Sequence, residues 1–124
     1  MHYRPDAKGK KKGLKIAGYA NTTGNLNAFG YASLTSNTTG VSNSAFGGSY
    51  SNNASLQSNT TGSYNSAFGE GALASNTTAS NNTAVGYQAL YSNTTTGNNT
   101  AVGYKAGYSN TTGDVCAFGR EVMY

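Results

Sequence analysis

Thr83-Ala-Val-Gly-Tyr-Gln-Ala-Leu-Tyr-Ser-Asn-Thr-Thr-Thr-Gly-Asn-Asn99 decides the fold, because the chain then repeats it as Thr100-Ala-Val-Gly-Tyr-Lys-Ala-Gly-Tyr-Ser-Asn-Thr-Thr-Gly113. Outward from this pair, an Ala-Phe-Gly or Ala-Val-Gly triplet ends at Gly30, Gly47, Gly69, Gly86, Gly103 and Gly119, in steps of 17, 22, 17, 17 and 16 residues. An Asn-Thr-Thr triplet begins at Asn21, Asn37, Asn59, Asn76, Asn93 and Asn110, in steps of 16, 22, 17, 17 and 17. Two motifs that keep pace with each other mark a structural period, in which each unit buries its apolar side against its neighbours.

A 17-residue unit is short for a pair of helices. Thr, Val, Phe and Tyr around the triplet favour strands, and Asn-Thr-Thr-Gly and Gly-Asn-Asn are turn sequences. The unit therefore predicts two short strands and two turns. The chain as a whole is expected to be an all-β, parallel β-solenoid (a β-roll) of about 17-residue repeats, with coils about 4.8 Å apart. Side chains alternate along a strand, so Ala84 and Gly86 share one face and Val85 takes the other. We expect Phe29, Phe46, Phe68, Val85, Val102 and Phe118 to form an interior stack. Leu34, Leu56, Leu73 and Leu90 would fill the opposite wall, with Gly107 in the Leu slot of the next copy. On this reading the core is narrow and the Ala/Gly face is smooth, uncharged and turned outward, which argues for side-by-side association of copies.

The period sets the domain organisation. Residues 1–15 form a basic N-terminal arm and residues 16–124 the repetitive solenoid, with Ile16-Ala-Gly-Tyr19 as a degenerate first copy. The 22-residue step carries extra residues around Gly48-Ser-Tyr-Ser-Asn-Asn53, expected as a loop bulging from one coil. The last copy stops at Glu121-Val-Met-Tyr124.

Composition alone would allow a disordered linker. Leu, Ile, Val and Phe are only 16 of the 124 residues, and Asn/Ser/Thr/Gly-rich chains lack the means to fill a compact core. The triplets argue against disorder, because they place one Phe or Val in the same register each time. Charge is segregated: Arg4, Lys8, Lys10, Lys11, Lys12 and Lys15 are six of the eight bases, and the rest of the chain is nearly neutral. Such an arm is open to acidic proteins, anionic lipid or nucleic acid. We expect an attachment arm in which Tyr3 and Arg4 dock into a partner and the lysines meet an acidic surface, with nucleic acid the less favoured partner. The first fifteen residues hold no apolar run of a signal peptide, and no stretch reads as a transmembrane helix.

Catalytic chemistry finds little to use. His2 is the one histidine, so neither a His-based triad nor a His-pair metal site forms within a chain. Cys116 is the one cysteine; it stands where other copies have Thr or Ser and reads as a small packed residue rather than a nucleophile. The glycines recur at turns and beside the triplet rather than in a phosphate-loop pattern. No catalytic residue, metal site or cofactor is assigned. Two tyrosine files remain as candidate surface contacts for host glycans: Tyr31, Tyr87 and Tyr104 in one, and Tyr91, Tyr108 and Tyr124 in the other. Aromatic faces suit sugars, whereas the plainer reading is a ladder that ties neighbouring coils.

The units Asn65-Ser-Ala-Phe-Gly69, Asn82-Thr-Ala-Val-Gly86 and Asn99-Thr-Ala-Val-Gly103 resemble the head repeats of trimeric autotransporter adhesins. The longer run Ala84-Val-Gly-Tyr-Gln-Ala-Leu-Tyr-Ser-Asn-Thr-Thr95 resembles the repeat stems of tailed-phage fibres. The resemblance covers residues 16–124 and implies a left-handed, trimeric β-roll rod. Autotransporters of this kind carry a signal peptide and a C-terminal membrane barrel, and many such phage fibres a C-terminal autoprocessing chaperone; the 124 residues hold none of these. The expectation is a structural fibre protein of a phage virion, assembled in the host cytoplasm and bound to other virion proteins through the arm. Cytoplasmic synthesis suits the unpaired Cys116. The alternatives are a fragment of a bacterial surface adhesin and, further off, an ice-binding solenoid built on the Thr-Thr files.

Overall fold

The computed structural model describes residues 24–124. The arm residues Tyr3, Arg4, Lys8, Lys10, Lys11, Lys12 and Lys15 and the degenerate copy at residues 16–19 lie outside the described residues. Six short strands follow one another: β1 (Leu26–Phe29), β2 (Asn43–Phe46), β3 (Ser66–Phe68), β4 (Thr83–Val85), β5 (Thr100–Val102) and β6 (Cys116–Phe118). They form one parallel sheet in sequence order, with each triplet Ala beside the next: Ala28, Ala45, Ala67, Ala84, Ala101, Ala117. The chain is a parallel β-solenoid with one strand per coil. Among the described residues no helix is long and apolar enough to cross a membrane.

Each coil has one strand where the unit predicted two. The second wall is a series of turns, yet its backbone still bonds from coil to coil. The amides of Leu56, Leu73 and Leu90 each donate to Ala72, Ala89 and Ala106 of the next coil at 3.0 Å. These leucines sit at φ near +50°, the left-handed region, which rules out strand geometry and costs a residue with a Cβ about 1–2 kcal/mol. Leu34, Leu56, Leu73 and Leu90 are fully buried, and burying a Leu side chain contributes about 1.5–3 kcal/mol, enough to offset that strain. The Leu wall expected from sequence is therefore present.

The residues facing these leucines correct the expected interior. Phe29, Phe68, Val85 and Phe118 are exposed and Phe46 and Val102 half-buried, while Ala45, Ala67, Ala84, Ala101 and Ala117 have no exposed surface. The alternation was anticipated but its sense is reversed. In β2, Asn43 and Ala45 point inward and Ser44 and Phe46 outward. A thin roll with Leu on one wall leaves room only for Ala on the other. The Ala/Gly face expected to meet other chains is thus the inside of the coil.

The 22-residue step behaves as a bulge. Ala45 pairs with Ala67 in unbroken register across it. The Ser55 amide donates to Gly47 O at 2.8 Å, closing over the extra residues, where Ala72 and Ala89 close three-residue turns on Gly69 O and Gly86 O at 3.1 and 3.2 Å. Coils approach closely at the triplet glycine: Gly69 has φ +123°, and a Cβ there would stand 2.8 Å from the Gly86 carbonyl.

Candidate functional site

Two columns of asparagine run through the interior, where the sequence reading assigned Asn only to turn motifs. Asn37, Asn59, Asn76 and Asn93 form one and Asn43, Asn65, Asn82 and Asn99 the other, all fully or almost fully buried. In the first, each Nδ2 donates to Oδ1 of the preceding Asn: Asn59 to Asn37 at 2.6 Å, Asn76 to Asn59 at 2.8 Å, Asn93 to Asn76 at 3.0 Å. The second hydrogen on each Nδ2 caps the coil's own turn, at Gly62 O, Ala79 O and Thr96 O. In the second column Oδ1 accepts the backbone amide of the next coil, from Asn65, Asn82, Asn99 and finally Val115. A buried amide left unpaired is costly, so these bonds fix both the turn and the register. Among the buried side-chain atoms of the described residues, Asn82 Nδ2 alone has no partner.

The outward face of the sheet carries two parallel files. One is Asn27, Ser44, Ser66, Thr83, Thr100 and Cys116; the other is Phe29, Phe46, Phe68, Val85, Val102 and Phe118. The Phe29, Phe46 and Phe68 rings stack at 4.8 Å between centroids, with planes within 12°. Cys116, expected to be packed, is exposed because it continues the outward hydroxyl file.

The tyrosine files form as expected, with one break. Tyr87 stacks on Tyr104 at 5.5 Å, and Tyr91, Tyr108 and Tyr124 stack at 5.1 and 5.2 Å. Tyr31 lies apart from Tyr87, since Gly48 and Glu70 hold the slot between; it stacks instead on Tyr50 of the bulge at 4.3 Å. Tyr91 Oη donates to Asn53 Oδ1 at 2.8 Å, tying the bulge down. The Lys105 ammonium lies 5.2–5.6 Å from the Tyr104, Tyr108 and Tyr124 ring centres, and Arg120 lies over Tyr104. Lys105 titrates above the ordinary lysine value: desolvation, the largest single influence, lowers it, but the charges of ionised Tyr104, Tyr124 and Tyr108, with a hydrogen bond to Tyr124, together raise it by more. Stacking within a ladder occupies the ring faces that a sugar would use, so the geometry favours coil-to-coil ties.

The Thr-Thr files are partly committed. Thr60 Oγ1 and Thr77 Oγ1 donate to the carbonyls of Thr77 and Thr94 at 3.1 and 3.2 Å, while Thr61, Thr78 and Thr95 are exposed. Among the described residues no three His, Cys, Asp or Glu side chains cluster so as to hold a metal. A shallow depression lies between Ser109, Asn110, Thr111, Thr112, Met123 and Tyr124.

No family model, curated protein or solved structure matches the chain. The class is defined by the fold itself: a β-solenoid repeat protein whose coils are tied by internal Asn columns and surface aromatic ladders.

Proposed function

We propose that this chain is a structural fibre protein of a phage virion, part of a tail or capsid fibre that reaches a host surface. The observation that carries the reading is the unbroken coil register, held across a 22-residue step. Every ladder runs along one axis, which suits a part that sets distance and bears load. The chain is accordingly read as non-enzymatic, as a homo-oligomer of three copies, and as joined to other virion proteins through the basic arm at residues 1–15.

The test is an image of the native assembly with the chain labelled by a specific antibody. Label on rods projecting from particles supports the fibre; label confined to free soluble protein overturns it. The second reading, a fragment of a bacterial surface adhesin, rests on the units Asn82-Thr-Ala-Val-Gly86 and Asn99-Thr-Ala-Val-Gly103, and label on intact bacterial cells would favour it.

A further inference from the structure

We infer that the outward face of the sheet, with its Phe/Val file flanked by the Ser/Thr file, is the surface on which copies of this chain pack against one another. The inference deepens the fibre reading by assigning the contact to a face, and it rests on that reading for its biological setting only.

The face has no role in the fold of a single coil. The interior is complete without it, being closed by Ala45, Ala67, Ala84, Ala101, Ala117 and the four leucines. Phe29 and Phe118 are nevertheless 61% exposed and Phe68 41% exposed. At about 150–250 Å² per aromatic side chain, these three rings leave roughly 250–400 Å² of apolar surface in water. That is already the scale of the largest apolar patch on an ordinary monomer, about 300–600 Å², before Phe46, Val85 and Val102 are added.

Three features select a second copy as the occupant. First, no residue of β1 to β6 is charged, so a partner recruited by charge finds nothing to pair with. Second, the file repeats once per coil along one axis, with rings 4.8 Å apart. Only a partner of the same axial period meets every coil in the same way, and a copy of the chain has that period. Third, the adjoining Ser44, Ser66, Thr83 and Thr100 hydroxyls offer both donors and acceptors, which a like file can answer without leaving a charge or an unpaired amide. The three rings alone fall short of the about 800 Å² per partner of a standard stable interface, and the association is expected to depend on concentration.

The experiment uses the full chain in sedimentation across ~1 µM to ~1 mM, which spans weak to moderate affinities. The chain is expected to form multimers within this range. The double variant Phe68→Thr/Val85→Thr keeps β-propensity and is expected to sediment as a monomer with an unchanged circular dichroism spectrum. A Tyr87→Ser/Tyr104→Ser variant, altered off this face, should associate as the wild type does. A second readout covers a variant that fails to fold: in a Cys116→Ser background, Val85→Cys should be captured as a covalent dimer by a short bismaleimide, and Thr95→Cys should not. A wild-type chain that stays monomeric to ~1 mM, a Thr variant that associates undiminished, or capture at Thr95 in place of Val85 each overturns the inference. A monomeric but labelled rod on particles would leave the fibre reading standing, and a multimer absent from particles would do the reverse.

Discussion

Asn76 Nδ2 donates to Asn59 Oδ1 at 2.8 Å across 17 residues of sequence, and with its other hydrogen to Ala79 O at 3.0 Å in its own turn. One side chain thus closes its own coil and locks onto the previous one, and Asn93 does the same to Asn76.

Asn76→Ala therefore removes more than one bond. It strands one Asn93 Nδ2 hydrogen and leaves Asn59 Oδ1 unmet in a site closed to water, while Ala79 O keeps its bond from Asn65 Nδ2 at 2.8 Å. At about 1–3 kcal/mol for each buried group left unsatisfied, the loss should reach at least about 2 kcal/mol. Chemical denaturation of Asn76→Ala beside the exposed Thr78→Ala would show it, with Thr78→Ala within about 0.5 kcal/mol of wild type.

The inverted interior makes a paired prediction. Leu73→Ala should cost about 2–5 kcal/mol, the usual range for a buried Leu, because Leu73 is fully enclosed. Phe68→Thr should cost the isolated coil much less, since its ring lies on the outer face. Equal losses measured in the monomeric state would contradict the assignment of the two walls.

Period, strand position, Leu wall, bulge and, apart from Tyr31, the tyrosine files were legible from spacing, because spacing survives whatever the local conformation. Which side of the strand faces inward was not. Phe68 is more apolar than Ala67, and hydrophobicity alone places it inside; the thickness of the roll, set by Leu73 opposite, excludes it. The Asn columns were missed for a related reason. Asn suits turns, and its partners become visible only when coils are stacked. A usable signal was present: Asn43, Asn65, Asn82 and Asn99 each stand two residues before the triplet Ala, and hence on its face. The one-strand coil was hidden by leucines at positive φ, which propensity does not anticipate.

Backbone strain gives a gain-of-stability prediction. Ser42, Tyr64, Asn81 and Asn98 occupy one slot at φ 55–63°, where Asn is tolerated and a bulky residue is strained. Tyr64 is 60% exposed, so little packing is lost on replacing it. Tyr64→Asn should recover part of the about 1–2 kcal/mol that the left-handed region costs a residue with a Cβ, read as a higher melting temperature.

The triplet glycine predicts the opposite. Gly69→Ala must place a Cβ 2.8 Å from the Gly86 carbonyl at φ +123°. Strain of about 1–3 kcal/mol, with the added clash between coils, should lower the melting temperature more than Gly113→Ala, whose Cβ meets nothing within 4 Å.

The central claim is that the coil is the unit of structure, and deleting one coil tests it most directly. Removing residues 70–86 joins Gly69 to Tyr87 and takes out 17 residues while every ladder is rejoined in register. The account predicts a folded, shorter solenoid with the same circular dichroism per residue and a cooperative, lower-temperature melt. Removing residues 70–77 instead breaks the register and should abolish cooperative melting. If the 17-residue deletion unfolds the chain, or the 8-residue deletion is tolerated equally well, the stacked-coil account is wrong.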